Sequence, residues 1–529
     1  GETTFTTTLQ TFNLTGGQVS MHVTSTVDFD RNINGGQQYI MPTAGHFSYG
    51  NLLLRNSSAK IMQNSNALDV DGDFELNRNT PFDDAGANLF VAGDWTARLN
   101  DMTLNGTLYL DGTEQDINHY TGANNLVVRN AGTKTITGTL EVNGNLTIES
   151  DATLKAPDNK GYIHGNWTET GNGRFIQENR AVFFVGQHSG QSLQMNSNSY
   201  FHHLLINKST SHPTLTATSD VQITNQMHFE EDVAAFNLNG HTLHLGNDLY
   251  FRKGCSFTHG GGTLHLNGTA SQQVIRNYSN NELVFGHALM DGKGVKHLLH
   301  GPYRFEGDVT INNISVESGE RIEVTGDWNN NGTFDHSNTL HFQGADQQIS
   351  GSSFHDAYFQ GSGTKTLGGN INLSGSLLID DGVALDVSSG NYDITVEGNF
   401  SNDSTGSFLP HEGTVRFTGN NSYLRTGAGN DPRPGYSNHL PAKSGNKSFY
   451  NMVVATAENK ELFLRGDLQV ANNFRIESGG LYGSNNPNNR GINDITVGGD
   501  FINKAHVSQY DYGATLSLNA SAGSHSFRP

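Results

Sequence analysis

The sequence is short of cysteine, proline, charge and long apolar runs, and each shortage removes a class of protein. A single cysteine, Cys255, excludes an internal disulfide framework and leaves the redox compartment open. Only 11 of 529 residues are proline, and no Pro-rich or Ser-rich linker divides the chain into beads. Charged residues make up 16% and the formal net charge is −20, so a phosphate backbone would be repelled and nucleic acid is not an expected partner. No run of 18 apolar residues is available to span a bilayer as a helix, and no basic amphipathic helix to lie on one, so no membrane insertion is expected of this segment. The apolar share, 34%, lies below the roughly 45–50% usual in globular domains, which excludes a thick core.

What is abundant is Gly, at 63 residues, together with Asn, Thr and enough Phe (29) and Tyr (17) to order a narrow, elongated interior. The apolar residues recur in a pattern. One element appears as TLYLDGTEQDI from Thr107, AVFFVGQHSGQSL from Ala181, TLHLNGTASQQVI from Thr263, TLHFQGADQQI from Thr339 and TVRFTGNNSYL from Thr414. A worn copy, TVDFD, begins at Thr26, and TLSLNASAGSHSF begins at Thr515. The starts are separated by 81, 74, 82, 76, 75 and 101 residues. A second element follows near Asn124, Phe201, Phe354 and Phe449, and a third closes the module as VAGDW, IHGNW, VTGDW, VEGNF and GGDF. That third slot holds all three tryptophans, Trp95, Trp167 and Trp328, with Phe400 and Phe501 in the other copies. The resulting modules run over 26–106, 107–180, 181–262, 263–338, 339–413 and 414–514, with a further one starting at 515–529.

One copy of the third element, GDWNNNGTFD, has the spacing of a calcium loop through Asp327, Asn329, Asn331, Gly332 and Asp335. The counterparts of Asn329 and Asn331 argue against it: they are Thr96 and Arg98, Thr168 and Thr170, Ser401 and Asp403, and Ile502 and Lys504. Arg and Lys cannot be cation ligands, and the bidentate Glu expected at the twelfth loop position is Asn338. The preferred reading is an Asn/Gly turn beside a core aromatic, with no cofactor. DVDGDFE (Asp69 to Glu75) and the RGD at Arg465 to Asp467 stand in the same register and read as the same turn.

Short alternating runs such as TLHF, INLS and ITVE, bounded by Gly, Asn, Asp and Ser, are strand-and-turn patterns without helical periodicity. Eight or nine of them per module predict an all-β right-handed parallel β-helix. It would have three coils of roughly 25 residues per module, forming one continuous solenoid over 1–529 on the order of 100 Å long. Tandem immunoglobulin-like sandwiches and a β-propeller are the alternatives, disfavoured by the missing linkers and by a repeat too long for one blade. The start at Gly1 suggests a processed or excised part of an exported protein, and the unfinished module at Thr515 a longer native chain.

Candidates for chemistry are few. Asp83 and Asp84, Glu230, Glu231 and Asp232, and Asp380 and Asp381 are acidic groups of the kind a polysaccharide lyase or glycoside hydrolase needs, but each sits in a turn where solvated carboxylates are usual. Neighbouring histidines such as His202 and His203 should face opposite sides of a strand and so not share a metal, and His241 and His244 are likewise scattered. No nucleophilic triad or phosphate loop stands out, so no catalytic residues and no enzyme activity are expected. The long interval comes from a lateral insertion, 425–448, rich in proline, where a ligand would meet Arg433, Tyr436 and His439.

GTKTLGGNINLSGSLLIDDGVALDVSSGNYDITVEGNFSNDSTGSF, Gly363 to Phe408, resembles the repeats of large cell-surface and secreted proteins of Bacteroidetes. That resemblance spans nearly the whole chain and marks architecture more than activity. It implies an extracellular, adhesin-like filament segment exported by the type IX system, whose partners are other copies of itself, other surface proteins or glycans. The alternative function is a polysaccharide-binding or polysaccharide-degrading β-helix.

Overall fold

The computed structural model describes residues 24–30, 36–43, 48–77, 79–97, 102–118, 120–156, 160–185, 190–207, 214–230, 234–279, 281–403, 405–420, 422–425, 448–465, 467–483, 494–505, 516–519 and 527–528. All regular structure among them is β, in short strands of alternating burial. In Asn51–Leu54, for example, Leu52 and Leu54 are buried while Asn51 and Leu53 are half-buried. A strand this short has too few contacts to persist alone; its unpaired N–H and C=O groups must be met by neighbours on both sides. Stacked coils meet them, and the chain is a parallel β-solenoid of about 19 turns in two compact units.

The first unit comprises residues 1–268 and 278–280. Its strands stack in three parallel ladders. One runs through Thr26–Phe29, Asn51–Leu54, Phe74–Leu76, Trp95–Ala97 and Glu114–Asn118. A second takes Gln37–Ile40, Ala59–Met62 and Phe82–Asp83, and further on Leu140–Val142, Gly161–Ile163 and Ala181–Phe184. The third includes Leu68–Val70, Leu89–Val91, Leu146–Ile148, Trp167–Glu169 and Gln191–Gln194. The second unit, residues 269–277 and 281–529, is built the same way. Its ladders pass through Tyr303–Phe305 and Ile322–Val324, through Val309–Ile311 and Trp328–Asn330, and through Ile371–Leu373 and Ile394–Val396.

Coils vary around the roughly 25 residues expected, and many are shorter. Val27 pairs with Leu52, 25 residues on, and Trp167 with Leu193 after 26, but Phe74 pairs with Trp95 after 21 and Leu340 with Ala357 after only 17. The recurring sequence element is therefore out of step with the coil. Its copies at Thr107, Ala181 and Thr263 occupy three different ladders of the first unit. The closing aromatics diverge similarly: Trp95 stands in one ladder and Trp167 in another, and Trp328, Phe400 and Phe501 lie in three ladders of the second unit. All five are buried, each against aromatic neighbours. Phe74 stacks on Trp95 at 4.5 Å, Trp167 meets Phe175 edge-on at 4.7 Å, and Trp328 meets Phe334 at 4.8 Å. They act as wedges at whichever face the module has reached, each ring pair adding about 0.5–1.5 kcal/mol beyond its burial.

Corners explain the repeated Gly-Asp/Asn pair. Asn51 Oδ1 accepts the backbone N–H of Asp73 at 2.8 Å, Asp73 Oδ1 that of Asp94 at 2.8 Å, and Asp94 Oδ1 that of Asp116 at 2.8 Å. A second file runs Asn125 to Asn145 at 2.9 Å, Asn145 to Asn166 at 2.8 Å, and Asn166 to Ser192 at 2.9 Å. In the second unit Asp308 caps Asp327 and Asp327 caps Gln348, both at 2.8 Å. Each side-chain oxygen thus closes a main-chain donor on the next coil, where the turn interrupts the ladder. Only an acceptor oxygen is used, which is why Asp and Asn exchange freely in this slot. Amide-to-amide contacts such as Asn472 Nδ2 to Asn451 Oδ1 (3.0 Å) also join successive coils. The preceding glycine is demanded by proximity: a Cβ on Gly326 would lie 2.3 Å from the carbonyl carbon of Gly307 one coil below. Elsewhere Asn itself supplies left-handed corners, as at Asn130 (φ 61) and Asn313 (φ 54).

Replacing Asn145 by Ala should destabilise the first unit by about 1–2 kcal/mol, whereas Asn145→Asp, which keeps the acceptor, should cost less than half as much. Denaturant unfolding of both variants checks the order, and equal losses would contradict the acceptor role.

Candidate functional site

The acidic residues that offered chemistry are tied into corners. Asp84 is fully buried; its Oδ1 accepts the N–H of Gly86 (2.9 Å) and of Asn105 (3.0 Å), and its Oδ2 that of Gly106 (2.9 Å). Asp83 Oδ1 accepts the N–H of Ala85 at 2.9 Å. Asp381 Oδ1 takes both the N–H (2.8 Å) and the hydroxyl (2.9 Å) of Thr405, and Asp380 Oδ2 takes the Gln360 amide at 3.0 Å. Glu230 pairs with Arg252 at 3.1 Å; Glu231 and Asp232 lie outside the described residues. A carboxylate whose lone pairs already hold main-chain donors is poorly placed to move a proton on a substrate.

The calcium-like stretch is divided between ladders. Trp328–Asn330 pairs with Val309–Ile311, whereas Thr333–His336 pairs with Ser315–Ser318, so Asn329 and Asp335 sit on different faces of the coil. Asp327 is one of the corner caps already described. Asn331 borders a hollow of about 490 Å³ with Gly294, Asn313, Ser315, Gly332 and Thr333, and no carboxylate lines it. Asp467 of the RGD is likewise a corner cap, accepting the N–H of Asp494 at 2.9 Å. Arg433, Tyr436 and His439 lie outside the described residues, as do 426–447. The strands on either side of that stretch stack on one another, Thr414–Phe417 on Asn451–Ala455 and Ser422–Arg425 on Glu461–Arg465.

Histidine placement departs from the alternation rule. The pairing of Phe201–Ile206 with Val221–Phe229 shifts register between Phe201 and His203, so His202 and His203 both turn outward, with rings 4.4 Å apart. With Lys160, Asn179, Arg180 and Ala181 they line a groove of about 410 Å³ in the first unit. His202 is held by Thr224 Oγ1 (3.4 Å) and Asn225 Nδ2 (3.1 Å). Burial lowers its pKa. Burial, then the nearby His202 and His228, lower that of His203 to about 4, so it is neutral at physiological pH. Lys160 and Arg180 are then the cations of the groove, and Lys160 Nζ lies 5.6 Å over the Phe183 ring. Phe183 itself stacks on Tyr162 at 5.0 Å.

The interior holds polar groups that the sequence reading passed over. Gln115 and Lys134 are register partners on successive coils, as are Gln347 and Lys365, Gln273 and Lys296, and Gln38 and Lys60, and all eight side chains are buried. Gln347 Oε1 accepts the N–H of Gly344 at 2.9 Å while its Nε2 donates to Val324 O at 3.2 Å. Gln115 does the same with Gly112 and Val91, both at 2.9 Å. The ammonium one coil above then binds corner carbonyls. Lys365 donates to Gly344, to Ala345 (2.9 Å) and to Ser362 (3.0 Å), and Lys134 to Asn130 (2.9 Å). The signal was present: EQDI is followed by GTKTI and DQQI by GTKTL, the Lys about one coil after the Gln.

Desolvation lowers Lys60, Lys296 and Lys365 to about 8. Between about pH 8 and the ordinary lysine range the folded chain therefore sheds protons that the unfolded chain keeps, so stability should rise with pH there. Buried Tyr49 and Tyr303, whose pKa values are raised by desolvation, keep protons that the unfolded chain loses, and they reverse the trend above about pH 10. Replacing the three lysines together by Met should flatten the rise, read from denaturation midpoints at each pH. A rise that survives the triple replacement would contradict this assignment.

Among the described residues no three His, Cys, Asp or Glu side chains converge on a metal position, and no helix is long and apolar enough to cross a membrane. No protein-family model, curated protein or solved structure matches the chain.

Proposed function

We propose that the chain is an extracellular structural and adhesive protein, a segment of a cell-surface filament or adhesin in which each unit of stacked coils serves as a stiff spacer. The observation that carries this reading is the commitment of the acidic and amide side chains to coil stacking. Asp84, Asp327, Asp380 and Asp381 close main-chain or side-chain donors, and so do the Asn and Asp files at the corners. An enzyme of this architecture needs a groove with carboxylates facing a substrate. The first-unit groove is lined instead by Lys160, Asn179, Arg180, Ala181, His202 and His203. The resemblance of Gly363 to Phe408 to Bacteroidetes surface repeats supports the same reading and suggests export by the type IX system. Right-handed winding is part of the proposal, because parallel crossovers favour that hand. So is a module of about 75 residues, as the recurring elements suggest. Partners would be further copies of this protein or other surface proteins, with glycans as the adhesive target.

Electron microscopy of the natively expressed protein tests the reading. Filaments or a surface layer on the producing cells should carry the protein, and the purified chain should release no reducing ends from polysaccharides. Soluble, separate chains that depolymerise a glycan, with the activity abolished by Asp381→Asn, would establish the polysaccharide-degrading alternative instead.

A further inference from the structure

We propose that His244 and His265 form a transition-metal chelate on the surface of the first unit, with water completing the coordination. The four-residue sequence TLHL occurs twice, at Thr242–Leu245 and Thr263–Leu266, and the structure stacks the two copies in register on consecutive coils. Leu243 lies on Leu264 and Leu245 on Leu266, all four buried, so the apolar interior fixes the alignment of the histidines between them. A slip of one residue would turn leucines outward and histidines into the core, which locks the pair in place.

The two half-buried rings approach through the same nitrogen. His244 Nδ1 lies 2.9 Å from His265 Nδ1, with ring centroids 5.0 Å apart and planes inclined at 61°. A metal about 2.0–2.1 Å from each nitrogen, the usual metal–imidazole length, would subtend about 90° across that gap. That is the cis angle of a tetragonal or octahedral site, which suits Cu²⁺ or Ni²⁺; tetrahedral zinc would need the nitrogens several tenths of an ångström further apart. With no metal, the same contact is a single hydrogen bond that requires one ring to donate and the other to accept. With metal, both rings are neutral and carry their proton on Nε2. Gln222 precedes His244 in this outward file, so no carboxylate from the coil below competes at that position.

A chelate of two side chains does not need the convergence of three ligands, which is absent among the described residues. His241, which precedes His244 closely, lies near Asp220 at 4.0 Å instead, and the second ligand arrives a full coil later.

Copper titration of the full chain tests the site, with the wild type compared against His244→Asn and His265→Asn, each first shown to keep its far-ultraviolet circular dichroism. The tightest Cu²⁺ in the wild type should show two bound imidazoles by pulsed electron paramagnetic resonance. Each single variant should show one and bind at least tenfold more weakly. Two variants that keep both the two-imidazole signal and the wild-type affinity would assign the copper to other histidines and overturn the proposal. So would a wild type whose tightest site shows a single imidazole, leaving His244 and His265 a hydrogen-bonded pair only.

Discussion

Strands three or four residues long cannot satisfy their own main chain, and this constraint governs the molecule. Each N–H and C=O that points along the stacking direction must find its partner one coil away, and among the described residues parallel neighbours such as Leu146 on Trp167 and Val309 on Trp328 supply it. Corners are where that pairing fails, because the chain turns there. The side-chain oxygens of Asn51, Asp73, Asp94 and Asn145 repair the gap, and glycines such as Gly326 let one turn settle against another. Composition follows from geometry: the abundance of Gly and Asn, and the low apolar share, are what a thin stack with many corners requires.

The buried Gln–Lys pairs extend the same logic to the interior. Placing an ammonium inside a protein costs several kcal/mol in desolvation, which a hydrophobic residue would avoid. Here it meets carbonyls that the turns leave pointing inward, as those of Gly344, Ala345 and Ser362 do towards Lys365. The pair favours one register, since a slip would strand a charge in the core. Thin apolar walls specify alignment weakly, and polar pairs that fit in only one alignment compensate.

Much of this was legible beforehand. The alternation of TLHF and ITVE, the turn-forming residues between them and the missing linkers led to a parallel solenoid. The coil length was not legible, because a sequence repeat reports its own period and not that of the winding; Trp95 and Trp167 fill the same slot yet face different sides. Contacts between coils were hidden for a related reason. His244 and His265, or Gln347 and Lys365, stand 21 and 18 residues apart and become neighbours only once the coil length is known. His202 and His203 escaped because a local register shift, which no alternation pattern announces, brings both outward.

The account rests on consecutive coils lying parallel and in register. Nitroxide labels at Thr147→Cys and Thr168→Cys, outward residues paired on neighbouring coils, measure this directly. Their Cα atoms should stand about 5 Å apart, the spacing of paired strands, so the continuous-wave spectrum of the double-labelled chain should be strongly broadened by spin–spin coupling, unlike the sum of the single labels. A double-label spectrum equal to that sum would place the two threonines far apart and contradict the stacking of coils.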